Sequence, residues 1–108
     1  MTSDRTGPAE CRSMAEVRQS VDRLDEQIVA LLAERFRYME AAARIKPGRE
    51  QVRDEWRKAD VLAKVRGAAV AAGAPVERIA ALYEALVESS IAFEFDRFDA
   101  TRASARED

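Results

Sequence analysis

The chain has 108 residues, with 18 Lys+Arg against 20 Asp+Glu for a formal net charge of −2, no His and a single Cys. That inventory excludes His-based catalysis, ordinary zinc sites and internal disulfides, and it offers no basic footprint for nucleic acid. Ala supplies 21 of the apolar residues, so only about thirty large side chains remain to exclude water, a thin supply for a lone domain of this size.

Residues 1–12 carry Gly7, Pro8 and small polar side chains without periodicity and read as a flexible arm. Ser13-Met14-Ala15-Glu16 fits a capping box, the hydroxyl serving an amide three residues on while the Glu reaches back, so a helix is expected to begin there. From that point Val17, Val21, Leu24, Ile28, Leu31, Arg35, Tyr38, Ala42 and Ile45 alternate steps of four and three, with no Gly or Pro until Pro47 ends the run near Lys46. A helix of about 33 residues spans roughly 50 Å, whereas a compact globule of this length has a radius of gyration near ~13 Å. So long a rod cannot be wrapped by its own chain. A second copy is expected on its seam, making the protein a homodimer.

Pro47-Gly48 opens a polar loop to about Val52. The second helix is expected from near Asp54, marked by Val61, Leu62 and Val65, to a C-cap at Gly73. Pro75 and Glu77 suit the first turn of a third helix, which shows Ile79, Leu82, Leu86, Ser90 and Phe93 at helical spacing and is expected to end near Ala100. Residues 101–108 read as a frayed tail. The fold class is all-α, with three helices, the first much the longest, in one domain over residues 13–100. No apolar stretch approaches the ~20 residues of a membrane span and no leader-like segment opens the chain, so a cytoplasmic protein without membrane contact is expected.

Several polar residues stand where the helical pattern calls for apolar ones. Arg35 interrupts the first seam; it either snorkels to the rim or pairs with a Glu such as Glu34 or Glu40 of another helix, or it anchors an anion. Lys46, eleven positions on, returns to within about 20° of the same face ~16 Å along the axis, where the two cations could hold a small dianion; alternatively Lys46 serves the helix dipole. Arg18 lies some 25 Å before Arg35 and about 100° round the helix, too far to share a ligand within one chain but available to a second copy. The run Val52-Arg53-Asp54-Glu55-Trp56-Arg57-Lys58 has the bland reading of a solvated helix start with an Asp cap. Ser90 and Glu94, four apart on one face, have the alternatives of a bond to the helix's own backbone and of ordinary surface. Cations with one Ser and one Glu, without nucleophile, metal or cofactor, suit a reaction catalysed by holding a dianion and stabilising charge separation.

The stretch MAEVRQSVDRLDEQIVALLAERF, Lys46 eleven after Arg35, VRDEWRK and LYEALVESSIAFEF together resemble the all-α chorismate mutase family, over roughly residues 14–98. The resemblance implies an intertwined dimer of three-helix chains in which each site borrows an Arg from the other chain's long helix. It implies that Arg35 anchors one substrate carboxylate, that Arg18 of the second copy clamps the other carboxylate region, and that Lys46 donates to the ether oxygen. Arg57, reached by aligning VRD and deleting one loop residue, is similar to a second-helix Arg on a carboxylate. Asp54 is similar to an acidic residue contacting the substrate hydroxyl or backbone, Ser90 to a Ser near the ring carboxylate, and Glu94 to the second donor at the ether oxygen. No cofactor is implied.

Two positions depart from the family pattern. Lys58 stands where many members have a Glu for the substrate hydroxyl, and Glu94 where many have Gln. Glu94 can donate only when protonated, so activity is expected to fall as pH rises and that carboxyl loses its proton. The AEC…MAEVR opening and YMEAAARIK also resemble the isochorismate pyruvate lyase branch, which makes salicylate and pyruvate on the same fold. The expectation is therefore a cofactor-free mutase converting chorismate to prephenate, with the lyase reaction as first alternative. A non-catalytic helical dimerisation module is the second.

Overall fold

A computed structural model describes residues 6–107, with side chains through residue 103. Three α-helices account for nearly all of it: α1 Met14–Ile45, α2 Glu55–Ala71 and α3 Val76–Glu107, with single 3-10 turns at Pro8–Glu10 and Arg49–Gln51 and no strand among the described residues. The fold is all-α with a long first helix, as the periodicity indicates, but the first helix is not much the longest: α1 and α3 each have 32 residues. None of these helices is long and apolar enough to cross a membrane. The chain divides into two compact units, Met1–Arg35 and Phe36–Asp108.

In the first unit, Ser13 begins α1 as expected: its hydroxyl accepts the Glu16 amide N–H at 3.2 Å. The reciprocal half of the box is shifted by one residue, because Glu16 Oε1 accepts from the Arg12 amide at 2.7 Å. Residues 1–5 of the expected arm lie outside the described residues. The remainder, with its turn at Pro8–Glu10, lies against α1, where buried Ser20 donates from Oγ to the Thr6 carbonyl at 2.9 Å. Along the same helix the seam residues Val21, Leu24, Ile28 and Leu31 are all exposed, Leu31 to 66 %.

In the second unit, α2 and α3 pack together and the end of α1 joins them through a small core of Ala43, Val52 and Phe98, against which Ile91 and Phe95 rest. Phe36 meets Phe93 edge to face, with ring centroids 5.0 Å apart. Asp54 caps α2 by accepting the Arg57 amide N–H at 3.0 Å. The helix closes at Gly73, whose φ of +68° permits the paired bonds Gly73 N to Val70 O at 3.1 Å and Ala74 N to Ala69 O at 2.9 Å.

The third helix departs from expectation in two ways. It runs to Glu107, past Ala100, because residues 101–107 contain no Gly or Pro and are rich in Ala and Arg, strong helix formers. Its buried row is Ala80, Val87, Ser90, Glu94 and Phe98, whereas Leu82, placed on the inner seam by periodicity, is 67 % exposed. The expected row was centred too far round the helix: at about 100° per residue Leu82 falls about 140° from Val87, whereas Ala80, Glu94 and Phe98 lie within about 20° of it.

Candidate functional site

The end of α1 and the middle of α3 bring together two of the residues singled out from sequence. Lys46 Nζ lies 2.7 Å from Glu94 Oε2, with Glu94 only 4 % exposed, so the carboxyl is interior rather than ordinary surface. The ammonium also donates to the Val52 carbonyl at 3.3 Å. Its approach to Glu94 is off the hydrogen-bond direction, and the buried Oε2 accepts no hydrogen bond among the described residues. A buried carboxyl oxygen left in this state is an exception in folded proteins, and it stands beside a cation with two N–H groups still to direct. Lys46 therefore serves the buried carboxyl and the Val52 carbonyl with its ammonium. The role of completing the end of α1 falls to Arg102, which donates to the carbonyls of Ala43 and Lys46.

Ser90, one turn before Glu94, is buried, and its Oγ donates to the Leu86 carbonyl at 2.7 Å, the backbone bond that competes with any ligand contact. Asp54 is spent on the α2 cap, so its contact is with backbone. Arg57, one turn into α2, holds Asp60 at 2.6 Å, and Asp60 is shared with Lys64 at 3.0 Å. Those two cations hold the Asp60 carboxyl below its usual range, chiefly through the Lys64 and then the Arg57 hydrogen bond. Arg18 and Arg35 belong to the first unit, Arg18 exposed and Arg35 half-buried.

Lys58, where the pattern has an acid, bridges two carboxylates of α3, Glu84 and Glu88, each at 2.7 Å. Arg53 reaches the same Glu88 at 2.6 Å and Glu55 at 2.9 Å. The Arg53 guanidinium, followed by Lys58, holds the Glu88 carboxyl down to about 2, and the Glu84 and Glu88 carboxylates raise the Lys58 ammonium above its ordinary value. The Lys in this position thus ties α2 to α3. Sequence reasoning missed two further participants, the Val52 carbonyl and Arg102; a backbone acceptor leaves no mark on a sequence, and Arg102 falls in the stretch read as tail.

Residues 17–95 match the family described as chorismate mutase type II. No curated protein matches the chain.

Proposed function

The chain belongs to the chorismate mutase type II family, and we propose that it catalyses the cofactor-free rearrangement of chorismate to prephenate, with Lys46 and Glu94 at the ether oxygen. In that reaction one C–O bond breaks as one C–C bond forms within a single molecule, so no nucleophile, leaving group or redox partner is required. Negative charge grows on the ether oxygen in the transition state. The Lys46 ammonium and a protonated Glu94 meet that charge with hydrogen bonds stronger than those they make to the ground state, the condition for faster chemistry rather than merely tighter binding.

The observation that carries this reading is the Lys46–Glu94 pair, its carboxyl buried and one carboxyl oxygen lacking a hydrogen bond, in a chain of this family. The roles of Arg35, Arg57 and Arg18 of a second copy on the substrate carboxylates rest on the family resemblance. A homodimer is part of the proposal, and the exposed stripe Val21, Leu24, Ile28 and Leu31 supports it: a contiguous apolar face of this kind is ordinarily covered.

The test is to incubate the purified protein separately with chorismate and isochorismate and identify products by chromatography against prephenate and salicylate standards. Prephenate from chorismate, with little salicylate from isochorismate, is the expected result. Efficient release of salicylate and pyruvate would replace the mutase reading by the lyase one. Inertness toward both substrates would leave a dimerisation module.

A further inference from the structure

We infer that Arg102 is a positioning residue for Lys46, its guanidinium standing in for a helix-end donor that Pro47 lacks and so fixing the backbone from which the Lys46 ammonium reaches Glu94. The inference rests on the reading of Lys46 and Glu94 as the pair at the ether oxygen. In an α-helix each carbonyl accepts the amide four residues on. Near the end of α1 the Ala42 carbonyl takes the Lys46 amide at 2.9 Å. The next carbonyl, that of Ala43, would need the amide of residue 47, and proline has none. Ala43 is 1 % exposed, so its surroundings exclude water as a substitute.

Arg102 supplies the missing donor from 59 residues away. Its Nη1 donates to the Ala43 carbonyl at 2.7 Å and its Nη2 to the Lys46 carbonyl at 2.5 Å. The guanidinium lies 3.7 Å from the centroid of the Phe98 ring, which is itself buried with Ala43 and Val52. The ring holds the planar fork flat, and the fork matches two carbonyls that a single ammonium could not engage together in the same way. Lys46 is thereby fixed at both ends: its carbonyl by Arg102, its ammonium by Val52 O and Glu94. Loss of Arg102 leaves a buried carbonyl without a donor and releases the last turn of α1, and displacement of a reacting group by about 1 Å lowers a rate by up to roughly a hundredfold.

The experiment compares Arg102→Ala and Arg102→Lys with the parent in the full chain, measuring kcat and KM on chorismate per folded molecule, and following Lys46 by the NMR signal of its ε-carbon, assigned through its loss in Lys46→Arg. The expected result is a kcat lowered roughly ten- to a hundredfold in Arg102→Ala with KM little changed, a displaced Lys46 signal, and partial recovery of kcat on adding millimolar guanidinium. Arg102→Lys, which keeps the charge but loses the fork, is expected between the two, and it carries the comparison if the Ala variant does not fold. A purely structural Arg102 would lower the melting temperature while leaving kcat per folded chain, guanidinium response and the Lys46 signal unmoved, and that result would overturn the inference. If the parent turns over neither chorismate nor isochorismate, the reading of the pair fails, and the Lys46 signal alone decides whether Arg102 positions it.

Discussion

At the scale of the residue, the chemistry turns on a carboxyl and an ammonium held 2.7 Å apart where one of them is cut off from solvent. In the proposed role Glu94 donates to a substrate oxygen, which the amide of Glu94→Gln can also do and Glu94→Ala cannot. The value of kcat should be kept within about tenfold in the first and fall about a hundredfold in the second, and a folded Ala variant with the parent's kcat would remove Glu94 from the donor role. Lys58 has a different part. The Glu88 carboxyl it shares with Arg53 is held down to about 2, below its ordinary 4.5, principally by Arg53. A depressed folded-state value means the contribution to stability is complete above about pH 4.5 and fades as pH falls toward about 2. Glu88→Gln is therefore expected to reduce the loss of melting temperature across that acid window. The effect should be modest, because the groups are exposed and solvent screens them.

At the scale of the element, the ends of the helices were the most legible features. Ser13, Asp54 and Gly73 announce themselves because caps are local: each requires a particular residue type within a few positions of the groups it satisfies. Gly73 carries a sharp test, since its φ of +68° disfavours any side chain while nothing lies within 4 Å of where a Cβ would stand. Gly73→Ala should lose about 1 kcal/mol through backbone strain alone. In a domain of this size that lowers the melting temperature by about 4–8 °C, read by thermal unfolding, with kcat per folded chain unaffected. Arg102 was illegible for the opposite reason. Pro47 shows that the Ala43 carbonyl needs a donor from elsewhere, but which side chain delivers it depends on how α3 returns to α1, a long-range contact with no periodic mark. Glu94 lay between these cases: helical spacing placed it on the Ser90 face, but its burial shows only once the inner row is seen to run through Ala80, Val87 and Phe98 rather than through Leu82.

At the scale of the whole molecule, the small supply of large apolar side chains reappears as a core with few members and as an exposed seam on α1. The composition anticipated the first and the length of α1 the second, and the proposed second copy would cover that seam. Replacing Ile28 by Glu sets a charge in the middle of Leu24, Ile28 and Leu31. Sedimentation should then find the variant monomeric at concentrations where the parent is dimeric, with turnover reduced about a hundredfold or more if Arg18 of a second copy completes each site, a loss of the order found on removing one charge-stabilising donor. A dimer of unchanged strength would place the interface elsewhere.

The central claim, that Lys46 stabilises the charge growing on a breaking ether bond, is most directly tested by the rate of prephenate formation from saturating chorismate in the parent and in Lys46→Ala, with helicity and oligomeric state matched. Loss of one such donor is expected to lower kcat by about a hundred- to a thousandfold while the fold is retained. A folded Lys46→Ala protein that turns chorismate over at the parent's rate would contradict it.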